Sequence, residues 1–188
     1  MRVLGISGSL RRDSYNTALL RHAGQLLEAE GAQFDLYDEL RTIPPFDEDD
    51  ERNPAPAPVA RLRAAVAGAD AVFFTTPEYN SSIPGTLKNA LDWVSRPYDG
   101  NPLQRKPVAV IGASTGSFGA VWAQAELRKV LGTIGAQVVE AEVAIGHAMD
   151  RFNTGGRLDD PNLESQVRAV VDDLVAAVHG TTTAKAAA

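Results

Sequence analysis

Short, continuous apolar runs alternate along this chain with stretches whose apolar residues return at helical spacing, and few architectures accept that alternation. Val3, Leu4 and Ile6 read as a buried first strand. Leu19, Leu20, Ala23, Leu26 and Leu27 then recur at helical period, with Gly31 as a stop. Residues 34–37 read as a second strand, and Val59, Leu62, Val66 and Ala69 as a second helix. Residues 71–76 form a continuous apolar strand, and 84–95 a helix that tolerates Pro84 in its first turn. A fourth strand at 108–113, a long helix at 119–134 and a fifth strand at 138–145 follow. Val167, Val170, Val171, Leu174, Val175 and Val178 mark the last helix. Strands that are apolar throughout, rather than alternating, are buried on both faces. The pattern therefore predicts an α/β fold with a five-stranded parallel sheet between two helical layers.

The 188 residues suit one domain, taken as 1–180, with 181–188 read as a flexible tail. The stiff polar stretch with Pro44, Pro45, the acidic run from Asp47 to Glu51, and Pro54, Pro56 and Pro58 lies inside one strand-to-helix connection. It reads as a surface loop, with an acidic partner-binding patch as the alternative.

The absence of cysteine excludes disulfides, a thiolate nucleophile and Cys-based metal sites, and three scattered histidines give no metal centre. Eighteen basic against 24 acidic residues give a net charge of −6, which argues against nucleic acid as a partner. No apolar run reaches the length of a membrane span, and Met1 to Ile6 does not resemble a signal peptide. The expectation is a cytoplasmic protein with no membrane partner.

Ligands of open parallel sheets bind beyond the carboxyl ends of the strands. The loop after the first strand contains Ser9, Leu10, Arg11, Ser14, Tyr15 and Asn16. It is rich in donors and runs into a helix N-terminus, which favours an anion such as phosphate. An ordinary capped turn is the other reading, with Ser14 or Asp13 as the cap. It is neither a Walker A loop nor a Gly-x-Gly-x-x-Gly fingerprint. The loop after the third strand carries Pro77, Glu78, Tyr79, Asn80 and Ser81, a stiff frame able to border a planar heterocycle. The loop after the fourth strand carries Ser114, Thr115, Gly116 and Ser117, small enough for close backbone approach. Gly112 to Gly116 also matches the Gly-x-Ser-x-Gly nucleophile elbow, so a hydrolase built on Ser114, with His147 or His179 as its base, stands as an alternative.

Taken together, these loops resemble the NADPH-dependent FMN reductase family. The likeness is carried by Gly8-Ser9-Leu10-Arg11 with Ser14 and Asn16, by Thr76 to Asn80, and by Ile83-Pro84-Gly85 with Leu87 to Ala90 and Asp92-Trp93. The segment from Phe152 to Leu158 adds to it. The resemblance implies a flavodoxin-like three-layer sandwich with strand order 2-1-3-4-5 and FMN at the crossover between the first and third strands. It implies that Ser9, Leu10, Arg11, Ser14, Tyr15 and Asn16 hold the FMN phosphate. Pro77 to Ser81 would border the ring, and Ser114 to Ser117 its pyrimidine end or the ribityl chain.

It further implies an enzyme that passes a hydride from NADPH or NADH through the flavin N5 to a small acceptor by a ping-pong route. The acceptor would be a quinone, flavin, chromate or azo compound. No protein group is assigned as a general acid: Tyr79 is a candidate by position only, and solvent could supply the protons. A homodimer or homotetramer is implied as well. An FMN electron carrier without NAD(P)H turnover is the rival reading. Family members often have glycine at the positions of Ser81 and of Phe118 or Ala120, so those positions mark departures.

Overall fold

The computed structural model describes residues 1–52 and 54–186, with side chains described for 1–51 and 54–180. The elements are β1 (Arg2–Ser7), α1 (Tyr15–Ala29), β2 (Gln33–Tyr37), α2 (Ala57–Ala67), β3 (Ala71–Thr76), α3 (Gly85–Val94), β4 (Pro107–Ala113), α4 (Val121–Ile134), β5 (Gln137–Val138), β6 (Ala144–Ile145) and α5 (Pro161–Ala186). The strands run parallel in the order β2-β1-β3-β4-β5, and β6 pairs with β4. This is the expected α/β order 2-1-3-4-5 of a flavodoxin-like sandwich. The expected boundary at 181 falls inside α5. Side chains from there on, and residues 187–188, lie outside the described residues.

The alternation of side chains along each strand divides the core in two. Leu4, Ile6, Val72, Phe74, Val108 and Val110 face one layer, with α2, α3 and α4. Val3, Phe73, Ala109 and Ile111 face the other, with α1 and α5. Each fully buried Val, Leu or Phe contributes about 1.5–3 kcal/mol against an exposed one. Two glycines shape the second layer. A Cβ on Gly5 would lie 2.4 Å from the Phe34 ring, and one on Gly24 would lie 2.5 Å from it. Phe34 therefore occupies room that β1 and α1 both leave open. Gly24 is kept inside a helix despite its poor helix propensity.

One expectation is corrected. The fifth strand is not continuous over 138–145 but is split into β5 and β6. Arg128, on α4, accounts for the gap. Its Nη1 donates to the Val139 carbonyl at 2.7 Å, and its Nη2 to those of Val110 and Ala141 at 3.0 and 2.7 Å. The guanidinium thus satisfies buried carbonyls that a continuous ladder would have paired. Glu142 lies 3.3 Å from its Nε.

The connection from β2 to α2 is held down rather than loose. Trp93 Nε1 and Asn89 Nδ2 both donate to the Pro44 carbonyl, at 2.9 and 2.8 Å. Phe46 N donates to Asn89 Oδ1 at 2.7 Å, and the Phe46 ring meets Trp93 edge-on at 5.0 Å. Of the acidic run, Glu51 faces Arg96 at 3.4 Å.

His22 is buried on α1, and neither of its ring nitrogens has a hydrogen-bond partner. Burial lowers its pKa below the ordinary 6.5, with Arg157 and Arg168 acting in the same direction and Glu164 opposing them. The neutral ring is therefore the folded form. Below about pH 6.5 the unfolded chain takes up a proton that the folded chain refuses, so stability falls as pH drops through that window. Urea denaturation between pH 7.5 and 5.5 should show this loss in the native protein and a flatter profile in His22→Leu. Equal slopes in the two would exclude His22 as the cause.

Candidate functional site

Three loops converge at the carboxyl ends of β1, β3 and β4. The loop after β1 is pinned by Gly8 N donating to the Thr75 carbonyl at 2.8 Å. A Cβ on Gly8 would come within 2.9 Å of the Leu87 side-chain tip, so any other residue here would push Leu87 aside. Ser14 caps α1, its Oγ accepting from Thr17 N at 3.3 Å. Ser9 Oγ accepts from Arg11 N at 3.4 Å. Among the described residues, the N–H groups from Arg12 to Asn16 have no acceptor within the protein. Donors left open at a helix start suit an anion, and the helix dipole adds to the attraction. The Arg11 guanidinium lies 5.3 Å from the centre of the Tyr15 ring, which in turn lies 5.4 Å from that of Phe152. The segment from Phe152 to Leu158 closes as a small antiparallel bridge and so braces the phosphate-type loop from outside.

Asn16 is placed differently from its neighbours. Its side chain is buried, donating from Nδ2 to the Ala113 carbonyl at 2.8 Å and accepting from Ala113 N at 3.0 Å. Its amide is therefore spent on β4, and only its main-chain N–H faces the open turn.

After β3, residues 79–82 make a two-residue hairpin turn. Tyr79 N donates to the Ser82 carbonyl at 3.0 Å, and Ser82 N to that of Tyr79 at 3.1 Å. Asn80 and Ser81 have φ of 53° and 59°, the left-handed pair of a type I′ turn. Asparagine tolerates that conformation, whereas serine is strained in it. Tyr79 stands 54% exposed on this turn. The Glu78 carboxylate leaves the site altogether. Its Oε2 accepts from Trp122 N and Ala123 N at 3.0 and 3.1 Å. The residue before α4, Ala120, has φ 63° and offers no side-chain cap, so Glu78 caps that helix from another loop.

After β4, Ser114 Oγ accepts from Gly116 N at 3.1 Å. The loop runs backbone to backbone against the segment after β6. His147 N donates to the Gly116 carbonyl, and Ala148 N to that of Ser114, each at 3.0 Å. A Cβ on Gly146 would meet the Ser117 carbonyl oxygen at 2.3 Å, so glycine is obligatory at that crossing. Thr115 and Ser117 N–H groups have no protein acceptor among the described residues. Ser114 is not among the residues with positive φ, unlike the strained serine of a nucleophile elbow. No histidine nitrogen hydrogen-bonds its Oγ among the described residues. The geometry does not support a hydrolase.

The sequence-predicted residues thus split by side chain. Ser9, Arg11, Ser14 and Tyr15 line one open turn, Tyr79 to Ser81 the next, and Ser114 to Ser117 the third. Asn16 and Glu78 brace the loops instead. Thr75, which also braces the site, carried no local signal, whereas Phe152 lay in a segment already singled out by the resemblance. Among the described residues no group of three or more His, Asp or Glu could hold a metal ion, and no helix is long and apolar enough to cross a membrane.

Two outcomes follow for stability. Glu78→Ala should cost about 1 kcal/mol, the usual value of a lost N-cap, read by urea denaturation; no change would remove the carboxylate as the cap. The left-handed conformation costs Ser81 about 1–2 kcal/mol, while glycine's unfolded-state entropy takes back about 0.5–1 kcal/mol. Ser81→Gly should therefore stabilise by about 0.5 kcal/mol, and a destabilised variant would contradict the strain.

Comparison with known proteins accords with this arrangement. The profile of the NADPH-dependent FMN reductase family matches residues 1–150. An NAD(P)H-dependent FMN reductase of Pseudomonas aeruginosa is 44% identical over 161 residues, 85% of each chain. A 2-hydroxy-1,4-benzoquinone reductase of a Burkholderia species is 34% identical over 94% of this chain and 95% of its own. The solved flavoenzyme NAD(P)H:acceptor oxidoreductase of Paracoccus denitrificans superposes with a TM-score of 0.86 at 35% identity, over 95% of this chain and 97% of that one. With the profile spanning all three loops as well as the sheet that carries them, the chain belongs to the NADPH-dependent FMN reductase family.

Proposed function

We propose that this protein is an FMN-dependent NAD(P)H oxidoreductase that passes a hydride from NADPH or NADH to a small acceptor by a ping-pong route. The observation that carries the reading is the run of unpaired N–H groups from Arg12 to Asn16, at the β1–β3 crossover and beside Arg11. That donor set fits a phosphate monoester. The exposed Tyr79 turn and the free N–H groups of Thr115 and Ser117 fit the edges of a planar ring. Quinones lead the acceptor classes because a relative covering 94% of this chain is a benzoquinone reductase. Flavins, chromate and azo compounds remain within the same class of small acceptors.

The chemistry FMN supplies when bound is acceptance of a hydride and delivery of two electrons. The protein's part is placement. Ser9, Arg11, Ser14 and the main chain of Tyr15 and Asn16 hold the phosphate. Leu10 packs against the helical layer behind them. Pro77, Glu78, Tyr79, Asn80 and Ser81 set the border of the ring by main-chain groups, and the Glu78 side chain fixes that border to α4. The N–H groups of Thr115 and Ser117 and the Ser114 hydroxyl would offer donors to the pyrimidine end, and Gly116 would allow the backbone to come close. Tyr79 is placed to give a proton from the open side.

One domain with one loop-lined edge offers a single approach to the ring, so nicotinamide and acceptor would use it in turn. The protein acts in the cytoplasm as a homodimer or homotetramer, and the exposed Phe118 and Trp122 pair, 5.0 Å apart, belongs to its subunit contact.

The test against an electron carrier is direct. Anaerobic NADPH should bleach the FMN-loaded protein within the turnover time, and a quinone should restore the colour. A carrier would stay yellow. Arg11→Ala should weaken FMN binding by about 1.5–3 kcal/mol, the value of a charge-assisted bond, in a fluorescence titration. Unchanged affinity would take Arg11 out of the site.

A further inference from the structure

A cavity of about 170 Å³ opens on the other side of β1, between α1 and the end of β2. Strands β2 and β3 flank β1, so this cavity lies across the β1–α1 loop from the crossover site. Arg11, Arg21 and Arg41 line it, with one carboxylate, Asp38. None of the three arginines forms an ion pair with a described residue. In a chain with 24 acidic residues, three arginines that line one hollow without ion-pair partners among the described residues favour an anion there. Ser7 and Thr17 hydroxyls, 3.0 Å apart, add neutral donors to the wall.

Tyr37 also lines the cavity, and its buried hydroxyl has no hydrogen-bond partner. Burial, with Glu39 beside it, pushes that hydroxyl up to about 12. It therefore stays a neutral donor at working pH. Arg41 is aimed by its Nη2 bond to the Leu10 carbonyl at 2.9 Å.

We propose that this cavity, which shares Ser9, Leu10 and Arg11 with the wall of the FMN phosphate loop, is a second phosphate-monoester subsite held by Arg21 and Arg41. Planar guanidinium forks bind phosphate oxygens in pairs. The co-substrate of the oxidoreductase reading carries a phosphate monoester on its adenosine ribose. The 2′-phosphate of NADPH is therefore the first source of the group, and free orthophosphate the second. The NADPH assignment rests on the oxidoreductase reading above; the anion site does not.

The experiment titrates FMN-loaded protein calorimetrically with 2′,5′-ADP, 5′-AMP and orthophosphate. It compares the native protein with Arg21→Gln, a change that leaves every described bond of the FMN loop in place. The expected result is 2′,5′-ADP binding at least tenfold tighter than 5′-AMP, with that preference lost in Arg21→Gln. KM for NADPH should rise by a similar factor while KM for NADH and FMN affinity stay unchanged.

Orthophosphate binding that depends on Arg21, without preference for 2′,5′-ADP, would keep the subsite and assign it to the free anion. The proposal is overturned if neither probe binds in an Arg21-dependent way. It is also overturned if Arg21→Gln weakens FMN as much as it weakens the probe, since the cavity would then belong to the FMN phosphate. Because the titrations read binding alone, they remain decisive even if no NAD(P)H turnover is found.

Discussion

One buried carboxamide holds the ligand loops in register. Asn16 stands in the first turn of α1, yet both polar atoms of its side chain are bonded to the backbone of Ala113 at the end of β4. Its own carbonyl accepts from Thr75 Oγ1 at 2.9 Å. The loop after β1 is thereby fastened across β3 to β4, a link no ladder bond can make because β1 and β4 are not neighbours. A buried, fully satisfied carboxamide is stabilising, but one stripped of a partner costs about 1–3 kcal/mol for each orphaned group. Truncating Asn16 would leave the Ala113 N–H and carbonyl buried and unpaired as well. The distance between the phosphate-type turn and the other two loops thus rests on one residue.

The loops themselves are kept stiff by main-chain geometry. Two residues in left-handed conformation, Ser81 at φ 59° and Ala120 at φ 63°, stand where the resemblance leads one to expect glycine. Each stores strain that the surroundings must offset. At Ala120 the offset is visible, since its side chain is fully buried against the core and Glu78 caps the helix it precedes. At Ser81 the hairpin bonds to either side perform that role. The carboxylate of Glu78 therefore joins the second loop to the third, as Asn16 joins the first to the third. The three loops form one braced edge rather than three independent segments.

The centre of the sheet was legible from the residues because β1, β3 and β4 are almost wholly apolar and buried, the signature of cover on both faces. The split of the fifth strand was not, because its cause is a guanidinium on α4. Arg128 is distant in sequence from Val110 and reads as an ordinary polar residue of an amphipathic helix. The same limit applies to the site. Residue types and positions pointed to the right loops, since donors, glycines and prolines cluster there. They could not show that Asn16 and Glu78 look inward to other elements, because a side chain's partner across the sheet leaves no mark on local composition. The paired use of Asn89 and Trp93 on the Pro44 carbonyl was hidden for the same reason.

Net charge gives the least guidance of all to this edge of the molecule. The chain carries −6 overall, but several carboxylates near the ligand loops are already engaged. Glu78 is committed to α4, Glu39 to Arg61, Glu51 to Arg96 and Asp160 to Arg151. Arg11, Arg21 and Arg41 have no such partner among the described residues. The field at the carboxyl ends of β1 and β2 is therefore set by unneutralised guanidinium groups and by open N–H donors, in a medium of lower effective dielectric than water. An anionic ligand approaching an acidic protein meets these guanidinium groups at an edge where several of the nearby acids are already spent on structure, Asp13 and Asp38 being the exceptions.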